Sequence, residues 1–293
     1  MGGTVTGPNW DAMIVKILKT VLACYAIPHT AAWEVLAQIR HVPGSPPLPD
    51  TMIPRDPRDP TVTPHDTPPD PSSPDRFLEA RRAMIRDQLR GRGLRHEAVL
   101  EVMGRIPREH FVSGSRARSP YSVYADTAVP VGRGQTLSQP YMVARMTAEL
   151  DPQPGAKILE IGTGTGYQTA VLAALAGEVW TVERDPVLAA GARERLAELG
   201  VQNIRFLVGD GSLGWPEGAP YQGILVTAGA PRVPTPLVAQ LDEGGRMVIP
   251  VGPSDLQELL CVELQGGEVR SRILTECRFV PLVGEAGWAS PPA

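Results

Sequence analysis

The sequence predicts an α/β fold: a doubly wound, mostly parallel sheet with an antiparallel edge strand and a helical cap on its N-terminal side. Three observations predict it. From Asp151 onward, short apolar runs alternate with longer stretches of helical periodicity, the pattern that threads parallel strands through crossover helices. The run ILEIGTGTGYQTAVLA, Ile158–Ala173, sets a glycine turn between a strand and a helix. The last two apolar runs, Leu259–Leu264 and Ile273–Val283, have no helix between them, so they pair antiparallel at one edge.

In chain order, residues 1–40 form an N-terminal extension to which the sequence assigns no role. Within it Met13–Ile27, MIVKILKTVLACYAI, is apolar but carries Lys16 and Lys19 and is too short to span a bilayer. It reads as an amphipathic helix, with export the minor alternative because Val21–Cys24 faintly resembles a lipoprotein cleavage site. Residues 41–75 are a linker. The prolines concentrate there, and PRDPRDP and PPDPSSPD support neither a helix nor a central strand, so an extended, disordered tether is expected.

Residues 76–150 begin with two capping helices. Leu78, Ile85 and Leu89 share one helical face, and Val99, Met103 and Ile106 another, which Pro107 ends. A further helix runs through Tyr141–Leu150, with Pro140 in its first turn. The core, 151–293, follows. Strands are expected over Lys157–Glu160, Val179–Glu183, Ile204–Val208, Ile224–Thr227 and Arg246–Val251, the last turning in at Gly244-Gly245. Helices are expected over Tyr167–Ala176, Pro186–Leu199 and Leu237–Leu241.

Composition narrows the function. The chain has 293 residues, 42% of them hydrophobic, and a net charge of −4. A sizeable core is possible, while a chain without a basic block is poorly suited to nucleic acid. Its three cysteines, Cys24, Cys261 and Cys277, form no CxxC pair, which argues against a disulfide framework or a zinc site and for a reducing cytoplasm. The histidines show no metal-ligand spacing.

In a doubly wound sheet, ligands bind beyond the carboxyl ends of the strands, where the strand order reverses. Gly162, Gly164 and Gly166 stand at that end of the first strand, followed by a helix N-terminus. A dinucleotide fingerprint requires glycine at the sixth position, which here is Tyr167. Glu183 ends the next strand, where a carboxylate accepts both hydroxyls of a ribose. Asp210 ends the one after, beside Gly211, at the place for an adenine edge. The set describes an adenosine pocket without a diphosphate, which suits S-adenosylmethionine better than NAD. Taken singly, the glycines are compatible with a structural turn and each acid with a helix cap.

Here the sequence resembles the protein-L-isoaspartate O-methyltransferase family. The likeness runs from about Arg81 to Trp288. It is carried by GRGQTLSQPYMVARM (Gly132–Met146), the glycine run, VERDP (Val182–Pro186), GDGSLGWPEGAPY (Gly209–Tyr221), GGRMVIPVG (Gly244–Gly252) and RFVPLVGEAGW (Arg278–Trp288). The resemblance implies a methyltransferase-type, Rossmann-like sheet and S-adenosyl-L-methionine as cofactor. The implied reaction is methylation of the free α-carboxyl of L-isoaspartyl residues in damaged proteins and peptides, and the ester then closes to a succinimide.

Carried onto this chain, the resemblance makes Ser138 the active-site serine and Gln135, Thr136 and Leu137 the loop around the cofactor. Gly162 and Gly164 become the glycine turn, Glu183 the ribose acid, and Asp210 with Gly211 the adenine side. Ser138 also fits a second role, as N-cap of the helix after it. Tyr141 and Met142 either line the peptide groove or pack as ordinary helix residues, and Trp288 either closes the site or packs on the sheet edge. The implied partners are isoaspartyl proteins and peptides; no nucleic acid, membrane or second subunit is expected.

The acceptor carboxylate is ionised at neutral pH, so the chemistry asks for positioning rather than a base or a metal. One departure stands out: bacterial members usually have aspartate where this chain has Gln222, a change expected to touch loop position or turnover modestly. Three other readings remain from the residues: a nucleotide-dependent oxidoreductase, a non-catalytic adenosine-binding module, and a peptide-tailoring carboxyl methyltransferase.

Overall fold

The computed structural model describes residues 74–114, 117 and 119–290. The N-terminal extension, its Met13–Ile27 segment and all but the end of the linker lie outside them. The first helix, α1 (Pro74–Ala83), begins inside the stretch assigned to the linker, so Pro74 and Asp75 belong to the folded part. Proline suits that place because the first helical N–H has no intrahelical partner. The helix continues as a wider π-helical segment, Met84–Arg90, which buries Met84 and Leu89.

Helix α2 (Glu97–Arg105) starts at His96, whose ring accepts from the Val99 amide, and ends at Ile106, which is extended ahead of Pro107. A short 3₁₀ turn, Arg108–Phe111, and helix α3 (Pro120–Tyr124) follow. Next comes a two-stranded hairpin absent from the sequence expectations, β1 (Val129–Gly132) and β2 (Gln135–Leu137), pairing Val129 with Leu137 and Pro130 with Thr136. Helix α4 spans Pro140–Leu150.

The main sheet contains β3 (Lys157–Ile161), β4 (Glu178–Glu183), β5 (Ile204–Val208), β6 (Tyr221–Val226), β7 (Leu241–Val251), β8 (Gln257–Gln265) and β9 (Glu268–Cys277). Their order is β5-β4-β3-β6-β7-β8-β9. The first five are parallel, and β8 and β9 add on antiparallel, as expected. Helices α5 (Tyr167–Ala173) and α6 (Pro186–Glu198) make the crossovers, and α7 (Thr235–Val238) is a single turn. In α6, Asp185 accepts from the amides of Val187 and Leu188, and Pro186 takes the first position.

Two expectations are corrected. The helix expected over Leu237–Leu241 stops at Val238, because Leu241 already pairs with Tyr221 as the start of β7. The strand expected over Ile273–Val283 instead begins at Glu268 and ends at Cys277. Its apolar continuation, Phe279–Val283, leaves the sheet and packs across the strand ends; Val280 packs on the core of Ile161, Ile224 and Ile249.

Alternation along each strand splits the core. Leu159, Ile161, Val182, Ile224, Val226 and Met247 bury one face, and Ile158, Val179, Leu225, Val248 and Leu259 the other. A third cluster joins the cap to the sheet's helices: Met84, Leu89, Val99, Leu100, Met103 and Phe111 pack with Tyr167 and Val171 of α5 and Leu196 of α6. The cap therefore shares a core with the crossover helices. Each such side chain contributes about 1.5–3 kcal/mol of burial.

Candidate active site

After β3 the chain runs to β4 and β5 on one side, then crosses back to β6 and β7 on the other. The reversal opens a crevice beyond the carboxyl ends of β3 and β6. A cavity of about 530 Å³ occupies it. The glycine turn forms its floor, the segment Gly134–Met142 one wall, and Thr275–Val283 the other.

The floor is fixed by its own hydrogen bonds. The Gly162 amide donates to Val182 O at 2.8 Å. The Thr227 hydroxyl lies 2.9 Å from Ile161 O and 2.8 Å from Gly162 O. Gly162 has φ 95°, and a Cβ there would come within 2.3 Å of that hydroxyl, so both backbone and space demand glycine. At Gly164 a Cβ would meet nothing within 4 Å, so this part of the turn faces open cavity.

Glu183, only 7% exposed, braces the turn. One carboxylate oxygen accepts from the Gly164 amide at 2.9 Å and the other from the Asp185 amide at 2.9 Å. Each oxygen can accept a further hydrogen bond, and the residue lines the cavity. Beneath the turn lies a carboxyl that the sequence expectations missed. Glu160 is fully buried, and its Oε2 accepts from the hydroxyls of Thr169 and Thr181, each at 2.6 Å. Burial pushes its pKa up to about 8 against the pull of those two hydroxyls, so it is mostly protonated at neutral pH. A strand acid two residues before the glycines was the available signal, but strand alternation alone does not separate a buried acid from a surface one.

The wall facing the turn is the β1–β2 hairpin and the segment after it. Gln135, Thr136, Leu137 and Ser138 all line the cavity. Arg133, at the hairpin tip with φ 55°, pairs with Asp185 and so ties the hairpin to the end of β4. The N-cap of α4 is Gln139, not Ser138, and no side chain caps the helix. The helix-cap role for Ser138 is thereby overturned. Among the described residues its hydroxyl makes no hydrogen bond, while its carbonyl accepts from Arg108 Nη2 at 2.7 Å. Tyr141 and Met142 also line the cavity. Arg92 lies 3.5 Å over the Tyr141 ring, and Asp126 joins the two by pairing with Arg92 and accepting from the Tyr141 amide.

The opposite wall is a strap, residues 278–288. The Gly229 amide donates to Val280 O, and the amide of Leu282 donates back to Gly229 O. Trp288 does not line the cavity; its indole Nε1 donates to Gly229 O at 3.0 Å and fastens the strap. Asp210 secures the other end. Its carboxylate accepts from the Ser212 amide (2.9 Å), the Ser212 hydroxyl (2.7 Å) and the Glu285 amide (2.7 Å). Burial raises its pKa, but the Glu285 amide, the Ser212 groups and Arg184 outweigh it and hold the carboxyl below the usual range. Gly211 lines the main cavity, whereas Asp210 borders an adjoining open hollow with Arg184 and Glu285.

Gln222 is away from all of this. It stands at the start of the central strand β6, at the strand ends opposite the cavity, accepting from the Lys157 amide and donating to Asp242. There it fastens β3 and β7 at their entry. Tyr167, where a dinucleotide site needs glycine, fills the first turn of α5 with a ring 1% exposed.

Three comparisons bear on this arrangement. The profile of the Protein-L-isoaspartate(D-aspartate) O-methyltransferase (PCMT) family matches residues 79–287. A protein-L-isoaspartate O-methyltransferase of Magnetococcus marinus is 54% identical over 201 residues, 68% of this chain and 87% of that one. A solved structure of a protein-L-isoaspartate O-methyltransferase is 31% identical with a TM-score of 0.64, covering 71% of this chain and 67% of that one. A Plasmodium falciparum structure, described as a β-aspartate methyltransferase in complex with S-adenosyl-L-homocysteine, has a TM-score of 0.58 at 24% identity. It covers 68% of this chain and 96% of that one, and at that identity it speaks to the fold.

Proposed function

The chain belongs to the protein-L-isoaspartate O-methyltransferase family, and from that premise we propose that it methylates the free α-carboxyl of L-isoaspartyl residues in proteins and peptides, using S-adenosyl-L-methionine. One observation carries the reading: a single cavity joins the glycine turn and Glu183 to the segment bearing Ser138.

The residues present suit the cofactor. Gly164 leaves bare backbone facing open space, the Glu183 oxygens retain lone pairs for two ribose hydroxyls, and Gly211 lies on the adenine side. Asp210 serves there chiefly by fixing the strap. Gln135, Thr136 and Leu137 close over the cofactor from the hairpin side. S-adenosylmethionine, when bound, supplies an already activated methyl group. Ser138 donates its hydroxyl to the acceptor carboxylate and orients one oxygen without becoming a nucleophile itself. Tyr141 and Met142 border the peptide's entry. The strap and hairpin exclude water.

We read the enzyme as a cytoplasmic monomer that uses neither nucleic acid nor membrane. The supports are a net charge of −4 and two buried free thiols. The edge strand β9 exposes Arg270, Arg272 and Glu276, charges that resist strand-to-strand pairing.

The test is methyl transfer to one peptide made with isoaspartate and with aspartate. In isoaspartate the free carboxyl sits one methylene closer to the main chain. A displacement of about 1 Å at the reacting oxygen costs on the order of 100-fold. The expected result is strong methylation of the isoaspartyl peptide and nearly none of the other; comparable rates would overturn the reading.

A further inference from the structure

Arg108, in the 3₁₀ turn after α2, is completely buried. Its Nε donates to Val123 O at 2.8 Å and its Nη2 to Ser138 O at 2.7 Å. The guanidinium carbon lies 5.0 Å from the centre of the Tyr167 ring. Its third nitrogen, Nη1, has no hydrogen-bond partner among the described residues, and neither has the Tyr167 hydroxyl. Among those residues no carboxylate pairs with Arg108. Glu109 beside it is engaged by Arg81 and Tyr124, and Asp126 by Arg92 and the Tyr141 amide.

Arginine does not shed its proton, so a full positive charge stands here with no carboxylate bonded to it, Asp126 acting only from a distance. An enclosed, unpaired charge is unfavourable, and an anion arriving nearby relieves it. Ser138 and Tyr167, two of the residues that Arg108 contacts, both line the cavity, which the guanidinium itself does not line.

We propose that Arg108 is a positioning residue that makes the site select an ionised acceptor. Its fixed cation draws the carboxylate to the Ser138 wall, and its bonds to Val123 and Ser138 hold that wall in place. The inference rests on the carboxyl-methylation reading above and deepens it. Attraction through a poorly polarisable interior is several times stronger than in water. It acts on the carboxylate before transfer and fades as the oxygen gains the methyl and loses its charge. Arg108 therefore contributes to acceptor binding more than to the chemical step, and it does not retain the neutral ester.

The test uses the full chain saturated with S-adenosylhomocysteine and two peptides, one isoaspartyl and one with that free carboxyl converted to carboxamide. Calorimetry gives the ratio of their dissociation constants. In the wild type the acid should bind more tightly by about tenfold or more. Arg108→Met should bring the ratio near one, raise KM for the isoaspartyl peptide, and leave S-adenosylhomocysteine affinity unchanged. Arg108→Lys, which keeps charge but not the fork, should preserve most of the preference while lowering turnover. A wild-type ratio near one, a folded Arg108→Met with an unchanged ratio, or equal weakening of both peptides in it would overturn the proposal. If Arg108→Met does not fold, loss of the preference in Arg108→Lys does the same. A wild type that methylates the isoaspartyl peptide yet shows no preference sinks only the role of Arg108; one that methylates nothing sinks the functional reading beneath it.

Discussion

The Ser138 hydroxyl has no task in the described backbone, since the helix beside it is left without a side-chain cap. Ser138→Ala should therefore lower turnover by about one to two orders of magnitude, the value of about 1–3 kcal/mol for a hydrogen bond to a charged group, while unfolding midpoint and S-adenosylhomocysteine affinity stay put. Steady-state kinetics beside calorimetry decides it, and undiminished turnover would strip Ser138 of its role. Glu160 predicts a pH effect. Its pKa rises from 4.5 to about 8 on folding, so the native state holds the proton more tightly than the unfolded chain. This part of the stability is complete below about pH 4.5 and is lost as pH climbs through about 8, by at most about 1.4 kcal/mol per unit between them. Glu160→Gln, which imitates the neutral acid, should flatten the stability profile between pH 5 and 8. A variant with the same slope as the wild type would show that the carboxyl stays ionised.

At the scale of elements, the strap contributes through its fastenings. Trp288→Phe keeps an aromatic ring but removes the indole donor to Gly229 O, which still accepts from the Leu282 amide. The expected loss is about 1–2 kcal/mol, read as a lower denaturant midpoint at unchanged slope; an unchanged midpoint would reduce Trp288 to passive cover. Most of the sheet was legible in the sequence because parallel strands buried on both faces read as apolar runs. The misreadings have local causes. Phe279–Val283 is as apolar as a strand, but after Cys277 it no longer pairs with β8, and its Val280 and Leu282 pack against the core from outside the strand ladder. The hairpin is short and glycine-bounded, and it is stabilised by tertiary contacts such as Arg133 with Asp185 that no local pattern encodes. Within the site, Glu183 was legible as an acid ending a strand, and so was Asp210, although its carboxylate is largely committed to Ser212 and Glu285. Arg108 was not legible: after Pro107 it reads as an ordinary surface cation, and only the fold encloses it.

Among the described residues the cap packs directly on α5 and α6, so it folds with the catalytic core rather than apart from it. Deleting Met1–Ser73 should therefore leave a folded protein with kcat/KM within about twofold of the full chain, because the proline-rich sequence upstream offers little apolar surface to bury. Circular dichroism and the isoaspartyl assay check it, and insoluble or inactive protein would place part of the core upstream of Pro74. The wall of the cavity consists of nearly the last described residues, bonded back across long spans of chain, Glu285 to Asp210, Ala286 to Ser212 and Trp288 to Gly229. Contacts so distant in sequence form slowly, because a large loop must close before they stabilise anything. Synthesis proceeds from the N-terminus, so the parallel strands are available to collapse before their wall has been made. The wall of the pocket is therefore expected to be the last part of the described fold to close.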